Sequence, residues 1–299
     1  MLLMIITDNL KDDISNAPDW FKEAIKSRSD EIIIDDPKGK VSYTKWSAKK
    51  DSKNLIIFIH GTGAHKKWWD PIAPQFLDLS HVIALDLPGM GDSNFRESYS
   101  IKDFGKCVIS IIKREKKIND IENIFIIGHS LGGQVAAYVA TEKKDLINSL
   151  IMIDTFIMPP NYDPKQHQGG PLRMIKYYSD KAAILNRFRL MPKQECLNTW
   201  FLRYIAEYSI TQTDKGWRWK FDDNMFSSLE RLFGYKFEFS CPALFIHGKN
   251  SLLMSGNILT NIKEMYSGIM DFNEVANAAH HVPLDKPLEV IDIIKNRLF

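Results

Sequence analysis

The sequence predicts an α/β fold: a mostly parallel sheet with helices on both faces, and a helical cap inserted after the sixth strand. Three observations predict it. Short, continuous apolar runs recur at residues 55–60 (LIIFIH), 82–85, 124–127, 150–153 and 243–246, as strands covered on both faces should read. Helical patterns alternate with these runs, which is the signature of β-α-β connections. The alternation stops between about residues 159 and 240, where aromatic segments of helical spacing take over. At 299 residues, one such domain with an insertion accounts for the whole chain.

The elements follow in order. Residues 31–35 and 41–46 read as a hairpin turning at Pro37-Lys38-Gly39, and residues 55–60 and 82–85 as buried strands. Ile101, Phe104, Val108, Ile111 and Ile112 share one helical face, with Ser100 as a plausible N-cap. Residues 124–127 form a strand that runs into a glycine-rich turn and a helix of small residues (GGQVAAYVATEKK). Residues 150–153 form the sixth strand, which ends at Asp154. The insertion begins through Pro159-Pro160 and ends before Pro242. Within it Leu197, Phe201, Tyr204, Ile205 and Tyr208 fall on one face, and Phe226, Leu229 and Phe233 on another; between them lies WRWKF at 217–221. Leu288, Ile291, Ile294 and Leu298 give a C-terminal amphipathic helix. The expected division is 1–157 and 241–299 for the two parts of the core, and 158–240 for the cap. Most cap aromatics should pack against each other; a minority should line an apolar cleft between cap and sheet edge.

Composition bounds the function. Net charge is +2, from 39 basic and 37 acidic residues. That balance argues against a nucleic-acid partner, WRWKF notwithstanding. No run approaches a membrane span, and the short apolar start lacks a basic leader and a cleavage-like site, so a cytoplasmic location is expected. Cys107, Cys196 and Cys241 are odd in number and far apart, as buried small hydrophobes in a reducing compartment would be. HEXXH, CxxC and glycine-rich phosphate loops are absent from the sequence, so neither metal nor cofactor is expected.

The chemistry centres on Gly128-His129-Ser130-Leu131-Gly132, a G-x-S-x-G turn between a strand and a helix. Such a turn is crowded, so flanking residues without side chains are needed. It thrusts the serine hydroxyl outward at a helix N-terminus, where the next backbone N–H can meet a developing oxyanion.

Four segments together resemble the α/β hydrolases, in that family's order: HGTGAHKKWWD at 60–70, DLPGMGDS at 86–93, GHSLGG at 128–133 and AHHVPLDKP at 279–287. The similarity runs from about Trp20 to the C-terminus. The resemblance implies the fold, the cap and a Ser–acid–His site. It makes Ser130 the nucleophile and His280 the base, because an acid and x-Pro follow five places later at Asp285-Lys286-Pro287. His281 and His129 are implied to be structural neighbours. The acid departs from the pattern. The usual place reads His247-Gly248-Lys249-Asn250-Ser251, with no carboxylate before Asp271. Asp154, at the end of the sixth strand, is the expected acid, with Asn250 or Ser251 as a neutral alternative. The oxyanion donors are expected at Leu131 and at Thr62, or else Gly63. His65 and Trp69 are expected either to face the pocket or, for Trp69 equally, to pack beneath the cap.

A serine at the elbow disfavours the alkyl-enzyme chemistry of relatives that carry aspartate there. The expected activity is carboxylic-ester hydrolysis of small to medium apolar substrates through an acyl-enzyme on Ser130, with a small-molecule ester as the partner. Two alternatives stay open: cleavage of C–C, lactone or amide bonds by the same residues, and a catalytically weak ligand-binding or signalling protein on the same scaffold.

Overall fold

The computed structural model of the chain describes residues 14–157, 176–232 and 234–299. Its centre is an eight-stranded sheet. The strands are β1 (Asp30–Asp36), β2 (Gly39–Trp46), β3 (Asn54–Ile59), β4 (His81–Leu85), β5 (Asn123–His129), β6 (Ser149–Ile153), β7 (Ala243–Gly248) and β8 (Met270–Val275). Their order across the sheet is β1-β2-β4-β3-β5-β6-β7-β8. β1 and β2 form the expected antiparallel hairpin, β2 pairs antiparallel with β4, and every other pairing is parallel.

The buried runs are explained by what covers them. Alternate residues of each strand point to opposite faces. Ile57, Ile126, Met152 and Phe245 join one core with Val108 and Val135 of the helices α1 (Ile101–Ile118) and α2 (Leu131–Glu142). Ile56, Phe58, Ile127 and Ile153 join the opposite core with Phe76, Phe21 and Ile291. Each fully buried side chain of this kind contributes roughly 1.5–3 kcal/mol. Ser100 caps α1 as its sequence suggests, its hydroxyl accepting from Asp103 N at 3.0 Å.

β8 has no apolar run. Met270-Asp271-Phe272-Asn273-Glu274-Val275 is an edge strand paired only to β7, and only Met270 and Val275 are buried. An edge strand with a solvated face needs no continuous apolar run, which is why the sequence pattern passes over it.

Between β6 and β7 the described chain contains a short helix at Lys181–Leu185, the ten-residue helix α3 (Thr199–Tyr208) and a one-turn helix at Met225–Ser228. It also contains an antiparallel hairpin, Ile210–Thr213 with Gly216–Trp219, in the segment expected to be helical throughout. Trp217-Arg218-Trp219 alternates with period two, the strand period, and Asp214-Lys215-Gly216 supplies the turn, with Gly216 at φ 111°. Phe226 follows, but Leu229 leaves the helix to pair with Tyr99. Pro159-Pro160 and Phe233 lie outside the described residues.

The DLPGMGDS loop holds this inserted segment. Asp86 is fully buried; its carboxylate accepts from Lys66 N at 2.6 Å, Asp92 N at 2.8 Å and Lys66 Nζ at 3.0 Å. Lys66 Nζ also reaches Asp92 at 2.9 Å, and these carboxylates hold the buried ammonium charged, above its ordinary range. From the far side Lys220 Nζ donates to Asp92 at 2.6 Å, Gly91 N donates to Lys220 O at 2.7 Å, and Tyr99 OH donates to Asp222 at 2.6 Å.

Candidate active site

Ser130 sits between β5 and α2 at φ 53° and ψ −120°, a conformation rare for a residue with a side chain. The glycines around it make room. A Cβ at Gly128 would meet the Gly132 carbonyl, one at Gly132 the Ile59 carbonyl, and one at Gly133 the Thr155 side chain. The turn is locked by Ser130 N donating to Ile153 O at 2.9 Å and Gly133 N to Ser130 O at 3.0 Å.

β6 ends one residue before Asp154, which is fully buried at φ 45°. Its Oδ1 lies 2.7 Å from His280 Nδ1 and accepts from Ser251 Oγ at 2.6 Å; its Oδ2 accepts from Gly248 N at 3.0 Å. The sequence departure is thereby explained in space. The last residue of β7 supplies a backbone N–H and the loop after it a hydroxyl, and both turn to the Asp154 carboxylate just beyond β6. A carboxylate only accepts, so the His280 proton resides on Nδ1 and the Nε2 lone pair is presented on the other side of the ring.

The loop carrying His280 follows β8 and is tied at several points. Asn250 N donates to Ala278 O at 2.9 Å, and Asp285 Oδ2 accepts from Ala279 N at 2.8 Å. His129 Nε2 lies 2.9 Å from His280 O. Gln194 donates to both Asp285 oxygens, at 3.0 and 2.9 Å, and its Oε1 accepts from His281 N at 2.9 Å. Asp285 thus anchors the loop, and Gln194 joins that loop to the inserted segment. Nothing in the sequence pattern singles out Gln194.

Ser130 and His280 line one cavity of about 540 Å³ between the sheet edge and the inserted segment. Thr62 and Gly63 line it too; Leu131 lies behind the elbow at the first position of α2. Gly63 N is directed at Met90 Sδ, 3.2 Å away. His65 and Trp69 do not line the cavity. His65 is buried, its Nε2 3.1 Å from Ile205 O and 2.9 Å from Ser209 Oγ, so it ties this loop to α3. Trp69 stacks on Phe58 at 4.6 Å beneath the sheet. The cavity wall is Trp68, 5.4 Å from the His281 ring. Lys66–Trp69 is a 3₁₀ turn, and successive residues of a turn face different ways, which separates neighbours that look alike in sequence.

The histidines that surround His280 are uncharged. Burial holds the His129 and His65 imidazoles down at about 3, and His281 well below its ordinary value. His60, lowered for the same reason, accepts from Leu87 N through Nε2 at 3.0 Å and donates from Nδ1 to Gly61 O at 2.7 Å, propping the loop of Thr62. The rings of His129, His280 and His281 have nitrogens within 4.8 Å of one another. Two of those rings are already engaged, His280 through Asp154 and His129 through the His280 carbonyl, so the cluster reads as support for His280 rather than as a metal cage.

Comparison with known proteins agrees with this architecture. A family model for the alpha/beta hydrolase fold matches residues 54–189. An esterase of Mycobacterium tuberculosis is 22% identical over 270 residues, 87% of this chain and 87% of that protein. A mouse sn-1-specific diacylglycerol lipase is 21% identical over 253 residues, 81% of this chain and 80% of the lipase. Among solved structures, an E-2-(acetamidomethylene)succinate hydrolase superposes with TM-score 0.73 at 19% identity, covering 90% of this chain and 98% of that one. The mycobacterial esterase superposes with TM-score 0.68 at 20% identity, covering 99% and 97%. At these identities the solved structures establish the fold, and the two relatives named are an esterase and a lipase.

Proposed function

We propose that this chain, which has the α/β-hydrolase fold, is a serine hydrolase that cleaves carboxylic esters of small to medium, largely apolar acyl groups. Ser130 attacks the ester carbonyl while His280 Nε2 takes its proton. Asp154 holds the imidazole in the required tautomer and stabilises its positive charge. The N–H of Leu131, which has no intrahelical acceptor at the first position of α2, meets the oxyanion together with Thr62 N–H. We retain Thr62 rather than Gly63 because the Gly63 N–H is directed at Met90. His280 then returns the proton to the leaving alcohol. Water, activated by the same ring, releases the acid. The inserted segment acts as a cap, and its aromatic side chains take up the acyl group.

The observation that carries this reading is the 2.7 Å contact of Asp154 with His280, on a ring that lines the same cavity as a serine held at φ 53°. It also favours an enzyme over a ligand-binding scaffold, since the acid missing from its usual place is supplied from β6. The test is turnover of p-nitrophenyl esters of graded acyl length by the protein and by Ser130→Ala. Multiple turnover that Ser130→Ala abolishes is expected. Turnover undiminished in the alanine variant refutes the reading.

A further inference from the structure

We propose that Arg187 and Arg189 bind an anionic group, a carboxylate or a phosphate, carried by the substrate at the solvent end of its acyl chain, the inference resting on the ester-hydrolase reading above. The lining of the cavity divides by burial and charge. His280, His129 and His281 are buried, and burial keeps the last two uncharged. Apolar side chains line the same cavity, among them Phe188, Leu190, Trp219, Phe221 and Phe226. Arg187 and Arg189 are among its exposed members. No aspartate or glutamate is among the described lining residues, so these two guanidinium groups are their only formal charges.

Neither arginine forms an ion pair among the described residues; Arg189 donates from Nη1 to the Phe188 carbonyl, and both side chains are exposed. Three other arginines of the described residues are committed. Arg96 pairs with Asp36 at 2.6 Å, Arg203 with Glu207 at 2.7 Å and Arg297 with Asp271 at 2.8 Å. Two cations without an ion pair among the described residues, beside an apolar cleft with no carboxylate among its described lining, make a positive field there. A guanidinium offers a planar pair of donors that matches carboxylate or phosphate oxygens.

Their backbone is fixed in place. Arg187 N donates to Ile184 O and Phe188 N to Leu185 O, each at 2.9 Å, and Leu190 is buried in the core. Gln194, four residues beyond Leu190, is bound to Asp285 and to His281 N, so the segment bearing the arginines is indexed to the loop bearing His280. A substrate filling the cavity therefore meets both the ester chemistry of the buried His280 and the exposed cations.

The test compares three p-nitrophenyl esters of matched length: the mono-ester of suberic acid, its methyl-capped neutral counterpart, and the ester of 7-phosphonoheptanoic acid. At low ionic strength the protein is expected to favour an anionic ester over the neutral one by about tenfold or more in kcat/KM. That ratio should approach one in the Arg187→Gln/Arg189→Gln double variant, and in the unmodified protein at about 0.5 M salt, where exposed charges are screened. The anion with the larger ratio identifies which group is read. A ratio at or below one for both anions overturns the proposal, as does a preference retained in the folded double variant. Turnover of none of the three esters counts against the hydrolase reading instead; calorimetric binding of the same esters to Ser130→Ala then decides the arginine proposal, with preference for neither anion overturning it.

Discussion

Asp154 carries more of this account than any other side chain except Ser130 and His280. It occupies a left-handed backbone conformation at φ 45°, which costs roughly 1–3 kcal/mol for a residue with a Cβ and persists only where the surroundings fix it. Here they do: Asp154 N donates to Ile246 O at 2.7 Å, and the carboxylate is held by Gly248 N, Ser251 Oγ and His280. Asp154→Asn keeps the size but offers an amide where a carboxylate must accept from Nδ1. We predict that kcat falls by a factor on the order of 10³–10⁴ while the fold survives, as checked by steady-state kinetics beside circular dichroism. Ser251→Ala removes one donor from the same oxygen and should cost about 1 kcal/mol, a loss of roughly five- to tenfold in kcat/KM. Ser130, His280 and the position of Asp154 were legible because a motif and a strand end mark them. The support from Ser251 was only half legible, since its place marks where an acid is missing and says nothing of what its hydroxyl binds. Trp68 was not legible at all. Trp68 and Trp69 are chemically identical neighbours, and only the 3₁₀ turn decides which one lines the cavity.

At the scale of elements, two turns do the positioning. The elbow between β5 and α2 depends on backbone packing closer than any side chain permits. Gly132→Ala places a methyl group against the carbonyls of Ile59 and His60, so we predict a loss of about 1–3 kcal/mol in unfolding free energy by urea titration. The loop after β8 depends on Asp285. Asp285→Ala releases both Ala279 N and Gln194, and kcat/KM on a short ester should fall by roughly tenfold through misplacement of His280, with the pH profile of the residual activity unchanged. The elements with continuous apolar runs, β3, β4, β5, β6 and β7, could be read directly because burial on both faces demands such runs. β8 could not, because one face of an edge strand stays in water. The hairpin Ile210–Trp219 was hidden by a flanking helix, α3, whose apolar period overshadows the shorter alternation of Trp217 and Trp219.

For the whole molecule, the histidines set a pH dependence. His60, His65, His129 and His281 are buried and their folded values are lowered, to about 3 for His65 and His129. The unfolded chain, with ordinary histidines near 6.5, binds more protons than the folded one below that pH, so stability falls as pH falls. For His65 and His129, held down at about 3, the cost is about 1.4 kcal/mol each per pH unit below pH 6.5, and His60 and His281 act in the same direction. Asp70, buried against Tyr204 OH at 2.7 Å and raised to about 6, acts in the opposite sense, as does Asp285, whose carboxyl burial also raises. Four histidines outweigh two carboxyls, so the melting temperature should drop continuously between pH 7 and pH 4. Scanning calorimetry at several pH values checks this, and a flat profile would contradict the neutral, buried histidine cluster around the site. No helix of the described residues is long and apolar enough to cross a membrane.

We propose that Ser130 attacks because His280 and Asp154 make its hydroxyl a nucleophile. Intact-mass and peptide analysis after treatment with a fluorophosphonate tests that most directly. One covalent adduct per chain is predicted, mapped to the peptide bearing Ser130, formed far more slowly in His280→Ala and absent in Ser130→Ala. A folded, ester-cleaving protein that leaves Ser130 unmodified, or carries the adduct on another residue, would contradict it.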